Sequence, residues 1–579
     1  MSATLARYRS PDTSLPRENL GWNLYGSGIE QIGRQGSPEN FPLPEPGDDQ
    51  LLVRVDALSL CFSDVKLIQQ GSRHPKLYGR DLAKEPTRLG HEAVLTVVRV
   101  GGDLRQRFRA GQRFAVQPDI YQNGRSTAYG YTIPGGLIQF HLIGAEVLNA
   151  DHGCYLLPVG DELGYAEAAL TEPWACVEGA YRQRRRLEPA PTGMMWIVGR
   201  RDDATEYRFS KGLGAPRTIV LTDVAAPLRA LVQRMTTGTI IERNGIAPAE
   251  YSSLSAELTG GKGFDDIVML DPRSADAVTE AAKLIARRGT LNLVGRTPLD
   301  GKPQIDFGRI HYDYTAFVGT RGPDIAASYG DGNNRSELKP GGVAAYIGAG
   351  GPMGQMHIQR AIELTDGPRL LIATDVNEER LAVLRTRFQP LAAQRGKHLT
   401  TINPQQPGVQ LPEAVREATD GGAVDDVIVC VPSAAVMAEA TALMAPDGML
   451  VLFAGVPNGT FAPLDLSNVY LHGAQFTGTS GSTLDDQATV IRKATGGELS
   501  PNRSVAAIGS IEAAQDGVRA MMEGRYPGKV VIFPQLRGLP LTGVAELKRK
   551  LPNVAAKLGP GDLWTREAEQ TLIEQFWRR

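Results

Sequence analysis

Cysteine is scarce in this chain: four in 579 residues, at Cys61, Cys154, Cys176 and Cys430. Thiols so few and so scattered exclude a disulfide framework and suit a reducing, cytoplasmic setting. Long apolar runs are missing too. No stretch approaches the roughly 18 residues that read as a membrane span, so no membrane association is expected. The first twenty residues carry Arg7, Arg9 and Arg17 but no apolar core, so they do not read as a secretory signal. Neither sign of charge dominates. A formal net charge of -2 with both signs interspersed argues against nucleic acid as a partner and against a disordered acidic arm. What remains is a chain with 42% apolar residues, long enough for about three or four domains.

Against that background the cysteine at 61 gains weight. Cys61-Phe62-Ser63-Asp64, Gly90-His91-Glu92 and Glu172-Pro173 bring a thiol, an imidazole and carboxylates from distant parts of the first 175 residues. This donor set suits zinc, which takes sulfur, nitrogen and oxygen ligands in a tetrahedron. Ligands that only folding can gather are typical of a catalytic site rather than of a local finger. The bland alternatives are a buried thiol at Cys61, a core histidine at His91, an orienting carboxylate at Glu92 and a helix cap at Glu172.

Residues 50–150 read as β-rich, with strands at Leu51–Val55, Val94–Val100 and Arg113–Val116. A helix is expected over Trp174–Arg186, and from there strands and helices alternate, the pattern of a parallel βαβ sheet. Within this region the sequence repeats itself. Phe264-Asp265-Asp266-Ile267-Val268 returns as Val424-Asp425-Asp426-Val427-Ile428, and Ile219–Val224 as Leu371–Val376. Gly289–Gly295 returns as Gly448–Gly455, and Gly319-Thr320-Arg321-Gly322 as Gly478-Thr479-Ser480-Gly481. An offset of about 150–160 residues is a duplicated domain, not a solenoid. The expected organisation is 1–187, completed by 485–535; a first copy at 190–325; a linker rich in glycine, asparagine and serine at 328–342; a second copy at 340–484; and a helical extension at 536–579.

The copies differ at one turn. The second has a strand, then Gly348-Ala349-Gly350-Gly351-Pro352-Met353-Gly354, then a helix. Such a turn lets backbone approach a pyrophosphate at a helix N-terminus. Asp375, near the end of the next strand, can accept hydrogen bonds from ribose hydroxyls and repels a 2′-phosphate, which favours NAD over NADP; Arg380 nearby keeps NADP open. Gly455 and Thr479 complete the expected cofactor residues. The first copy has Gly199-Arg200-Arg201-Asp202-Asp203-Ala204-Thr205-Glu206 instead, with three carboxylates where a pyrophosphate would sit. It reads as a degenerate copy, with a site for another ligand at Arg200 and Arg201 as the alternative.

Taken together, these segments, with Gly111–Val116 and the closing strand Gly528–Ile532, resemble the medium-chain dehydrogenase/reductase family. Within it they look most like the zinc-dependent polyol, threonine and sugar-phosphate dehydrogenases, near L-sorbose-1-phosphate reductase-like proteins. The resemblance implies an α/β fold: a GroES-like β-rich catalytic domain plus Rossmann-type doubly wound domains, here in tandem duplication. It implies an oxidoreductase transferring a hydride between NAD and a secondary alcohol or ketone of a polyol, sugar or sugar phosphate. One catalytic zinc is implied, on Cys61, His91 and one or both of Glu92 and Glu172, with Ser63 as proton relay. Many relatives carry a histidine where Lys66 stands, so Lys66 is either a relay or a solvated lysine; His141 either lines the site or fills the core. With no cysteine between Cys61 and Cys154, a second, structural zinc is not expected. Because family dimers often join Rossmann sheets edge to edge, the extra copy could serve as a built-in partner, and a homo-oligomer stays open. Two rival readings are an isomerase, epimerase or lyase that retains NAD, and a regulatory protein without turnover.

Overall fold

The computed structural model describes residues 2–10, 15–479 and 481–578. Ser480, the third residue of the last repeated tetrapeptide, lies outside the described residues, as do positions 1, 11–14 and 579. Two compact units divide the chain: Met1–Gly179 with Gly351–Met356 and Gly481–Arg579, and Ala180–Gly350 with His357–Ser480. Among the described residues no helix is long and apolar enough to cross a membrane.

The first unit is built on one sheet of eight strands. Its path runs Thr542–Gly543, Val505–Ser510, Lys529–Phe533, Leu51–Ser59, Glu92–Val100, Arg113–Val116 and Leu156–Pro158, with Phe140–Ile143 paired to Leu51–Ser59. Strands from both ends of the sequence therefore share a sheet; Val531 lies opposite Ser59. Leu51, Val53, Val55, Leu95, Val97 and Ile532 belong to one buried core.

The second unit holds two six-stranded parallel sheets with the same strand order. The first reads Thr239–Glu242, Thr218–Thr222, Met194–Val198, Phe264–Leu270, Ile285–Val294, Ala316–Thr320. The second reads His398–Ile402, Leu370–Thr374, Val343–Ile347, Val424–Val429, Met444–Leu452, Gln475–Gly478. This is the 3-2-1-4-5-6 order of the Rossmann fold, twice.

The repeated Asp-Asp pair has a structural job in both copies. Asp265 accepts a hydrogen bond from Met194 N (2.8 Å), and Asp266 accepts from Ala190 N (2.8 Å) and pairs with Arg186 (3.0 Å). In the second copy Asp425 accepts from Val343 N (2.8 Å), and Asp426 accepts from Lys339 N (2.7 Å) and pairs with Arg335. Each pair fixes the entry of the chain into its first strand, so the motif is spent on folding.

The sheets meet through contacts that repeat with the roles exchanged. A Cβ on Gly319 of the first copy would stand 2.6 Å from Tyr470 Cβ of the second, and a Cβ on Gly478 of the second would stand 3.2 Å from His311 Cα of the first. Gly319 and Gly478 are equivalent positions, and so are His311 and Tyr470. Strand Gln304–Asp306 also pairs antiparallel with Phe461–Pro463. Residue i of one copy meets j of the other, and j meets i in return, which is the signature of a two-fold interface. Contact between the two copies is what the reading of the extra copy as an internal partner requires.

Two local expectations are corrected. The helix over 174–186 is Thr171–Gly179 instead, because the arginines beyond it leave the helix to reach other strands: Arg185 donates to Gln475 (2.8 Å) and Arg186 to Asp266. Within the linker, Tyr329 is buried, and its hydroxyl donates to Asp266 (3.0 Å). The helical extension at 536–579 offers two short helical segments in sequence, Leu541–Leu547 and Trp564–Glu569; the second forms as the helix Arg566–Phe576, with Thr565 accepting from Ala568 N as its cap. The other segment instead begins as the edge strand Thr542–Gly543, paired with Ala507 and Ile508. The formed helix docks through Glu569, whose carboxylate accepts from Tyr165 N (2.6 Å) and Ala166 N (2.7 Å).

Candidate functional site

Cys61 is the N-cap of the helix Phe62–Gln70. Asp64 closes that end, accepting from Cys61 N at 2.9 Å. Its other oxygen accepts from Gly90 N at 3.3 Å, and Gly90 takes φ +90°, a left-handed conformation that only glycine adopts freely. That turn delivers His91 and Glu92 at the head of the strand Glu92–Val100, with Glu92 opposite Ser59. Asp64, read from the sequence as structural, thus ties the cysteine segment to the histidine segment.

The result is a cluster. Donor atoms of Cys61, His91 and Glu92 lie within 4.8 Å of one another, and no other set of three possible ligands is gathered this closely among the described residues. Glu172 is not in the set, but it is buried close by, on the helix Thr171–Gly179. Burial first, and then the charge of Glu92, pushes its carboxyl up to about 7. His91 Nδ1 stands 3.3 Å from Asp64 Oδ1, an ion-pair distance whose alignment falls short of a hydrogen bond. Burial disfavours the charged ring, yet Asp64 raises its pKa well above the usual value.

The donor set fits zinc. Thiol, imidazole and carboxylate are its usual ligands, and Glu92 supplies an independent sign. That side chain is fully buried, with Oε1 accepting from Lys529 Nζ at 2.6 Å, while Oε2 has no hydrogen-bond partner. A buried carboxylate oxygen left without a donor is costly unless a cation completes it. Lys529 is the residue that sequence reasoning missed. It sits at the head of the closing strand and is 4% exposed. Burial works against its charge, but Glu92 and then Cys61 raise its pKa. The available signal was a lysine opening an otherwise apolar strand.

The remaining candidates divide. Ser63 lies in the first turn of the Cys61 helix and is half-buried; Lys66, one turn further on, is exposed. Cys176 is half-buried with its sulfur 4.0 Å from Glu172 Oε1, so it packs beside the cluster. His141 is buried and bonded to the Tyr129 hydroxyl through Nε2 at 2.8 Å, which is the core reading. Burial, followed by Arg88, pushes it down to about 3. A depressed folded-state value means that the unfolded chain binds the proton more readily between about pH 6.5 and 3, so stability falls as pH drops through that window, by about 1.4 kcal/mol per pH unit at most. His141→Phe should therefore flatten the acid limb of the stability profile measured by urea titration; an unchanged limb would refute the assignment.

In the second copy the strand Val343–Ile347 leads through the glycine turn into the helix Pro352–Glu363. Gly348 has φ +75°, and a Cβ there would stand 2.4 Å from Val431. Gly350 leaves room for Asp375 and Arg380, whose nearest atoms would lie 2.7 and 2.6 Å from a Cβ. Asp375 is 8% exposed and accepts from Gly350 N (2.9 Å) and Asn377 N (2.9 Å). Gly351, Pro352, Met353 and Gly354 carry the turn into the helix, and Thr479 is buried. Gly455 lies against the first copy: a Cβ would meet His311 Nε2 at 2.6 Å and the Tyr312 hydroxyl at 2.7 Å, which accounts for glycine there.

The first copy has no such strand–turn–helix. No helix forms between Val198 and Thr218, so no helix N-terminus follows its first strand. Arg200 pairs with Asp202 (2.9 Å) and Asp271 (2.8 Å), and Arg201 with Asp223 (2.9 Å). Internal ion pairs occupy the turn where the second copy has glycines, in keeping with a degenerate copy.

Comparison with known proteins agrees with this geometry. Residues 47–178 match the family model of the alcohol dehydrogenase GroES-like domain, and residues 352–496 match that of the zinc-binding dehydrogenases. The L-sorbose 1-phosphate reductase of Klebsiella pneumoniae is 32% identical over 303 residues, covering 49% of this chain and 72% of the relative. The mannitol-1-phosphate 5-dehydrogenase of Aliivibrio fischeri is 23% identical over 551 residues, 93% of this chain and 94% of the relative, so that alignment takes in both copies. The sorbitol dehydrogenase of Macaca fascicularis is 28% identical over 298 residues, covering 48% of this chain and 75% of the relative. Membership of such a family brings a zinc ion and a nicotinamide cofactor with it. The chain belongs to the zinc-dependent medium-chain dehydrogenases and is an oxidoreductase of the alcohol and polyol dehydrogenase type.

Proposed function

We propose that the protein oxidises a secondary alcohol of a polyol or polyol phosphate with NAD, or reduces the corresponding ketone, at a zinc held by Cys61, His91 and Glu92 with Glu172 in reach. The gathering of the Cys61, His91 and Glu92 donors within 4.8 Å carries this reading. The reaction balances as alcohol and NAD⁺ going to ketone, NADH and a proton. When bound, zinc polarises the carbon–oxygen bond and nicotinamide exchanges the hydride. The protein's own residues orient and move protons. Asp64 holds His91 from behind, as outer partners of a ligating histidine do. Lys529 fixes one oxygen of Glu92 and leaves the other free for the metal. Ser63 hands on the alcohol proton, since a hydroxyl both donates and accepts.

Gly348, Gly350 and the helix Pro352–Glu363 form the place for the pyrophosphate, with Gly351, Pro352, Met353 and Gly354 in the turn. Asp375 favours NAD because a carboxylate repels a 2′-phosphate. The relatives' names, L-sorbose 1-phosphate reductase, mannitol-1-phosphate 5-dehydrogenase and sorbitol dehydrogenase, support polyols and their phosphates as the substrate class.

The test is hydride transfer followed at the NADH absorbance with zinc-reconstituted protein, NAD and NADP in parallel, and a panel of polyols, ketoses and their phosphates. Turnover with NAD that disappears on zinc chelation supports the reading. Equal rates after chelation, or no hydride transfer from any member with either nucleotide, would reject it.

A further inference from the structure

Beside the zinc cluster, in the same unit, the chain after the Cys61 helix bends through two short turns, Gly71–Arg73 and Pro75–Leu77. These turns gather positive charge. The ring of Tyr131 lies 6.0 Å from that of His91 and 5.1 Å from that of His74, so it bridges the metal ligand and the turns. Lys76 Nζ sits 5.1 Å from the Tyr131 ring centre and 3.1 Å from Asp119 Oδ1, and its side chain is 38% exposed. Lys66 is exposed on the preceding helix. His74 Nδ1 accepts from Lys76 N at 3.2 Å, which places the ring proton on Nε2 and leaves that nitrogen as a donor. The ring reports the local potential: burial, then Lys76, then Lys66, lower its pKa to about 4. The imidazole beside these ammonium groups is neutral, and among the described residues Asp119 is the carboxylate paired with Lys76.

We infer that Lys66, His74 and Lys76 form a cationic rim that selects a phosphate monoester on the substrate, making a phosphorylated polyol or ketose the preferred partner over the free polyol. This rests on the proposed dehydrogenase reading and narrows it. A phosphate dianion gains charge-assisted hydrogen bonds from ammonium groups and an imidazole N–H, whereas a neutral polyol gains none of the charge. In such a site Asp119 holds Lys76 in place while substrate is absent, and the phosphate outcompetes it with its greater charge.

The experiment compares kcat/KM for D-sorbitol and D-sorbitol 6-phosphate, and for D-mannitol and D-mannitol 1-phosphate, in the full-length protein. Wild type should prefer the phosphate ester about 100-fold or more. In Lys76→Gln the preference should fall at least tenfold, through KM of the ester rather than kcat, and Lys76→Arg should restore it. Lys66→Gln, an exposed change that leaves the fold intact, should lower it several-fold in the same direction. A wild-type preference for free polyols, or variants that depress both substrates equally, would overturn the rim. If no substrate turns over, the dehydrogenase reading has failed on its own terms, and calorimetric titration of D-sorbitol 6-phosphate decides the rim separately: binding weakened in Lys76→Gln upholds it, and no binding to wild type rejects it.

Discussion

Cys61→Ala should reduce kcat/KM by about 10³ or more and strip the bound zinc, while binding of NAD stays within about twofold. A metal that polarises the reacting oxygen contributes several kcal/mol to the barrier, and each 1.36 kcal/mol is tenfold in rate. Cys61 caps its helix with backbone in the extended region, and alanine tolerates that geometry, so the fold should survive. Zinc content by elemental analysis, steady-state kinetics and calorimetric titration of NAD separate the three effects. Unchanged turnover would remove the metal from the mechanism; lost zinc together with lost nucleotide binding would point to unfolding instead.

Lys529→Met should destabilise the metal-free protein by about 3–5 kcal/mol, because removing one partner of a buried ion pair leaves the other charge without compensation. Glu92 is fully buried and Lys529 is 4% exposed, and they are 2.6 Å apart. Methionine keeps most of the lysine stem, which limits the packing loss. The effect should shrink when zinc is loaded, since the cation then faces the same carboxylate. Urea titrations of the metal-free and zinc-loaded forms make the comparison. Equal losses in both would show that Glu92 does not face the metal, and no loss in either would show that the pair contributes nothing.

The cluster was legible in the sequence because its members carry chemistry in their residue types. A cysteine followed by Ser63 and Asp64, and a His-Glu pair after a glycine, stand out even in one chain. Their partners do not. Lys529 meets Glu92 across 437 residues of sequence, and nothing local to either marks the contact. The duplication was readable from Asp265-Asp266 and Asp425-Asp426, whose shared task of anchoring strands only the structure reveals. Periodicity misplaced the end of the helix after Glu172 because Arg185 and Arg186 have good helical propensity, and tertiary pairing with Gln475 and Asp266 overrides it. The edge strand at Thr542 was hidden in the same way, since two residues of ladder leave no pattern to read.

The exchange of roles between Gly319 with Tyr470 and Gly478 with His311 has a consequence in mass action. Two subunits joined by such a surface part on dilution, and their stability depends on protomer concentration. Here both faces belong to one chain, so the association is intramolecular and its effective concentration is set by the intervening residues, not by how much protein the cell makes. In the first copy ion pairs fill the turn after the first strand, while the surface that meets the second copy is kept.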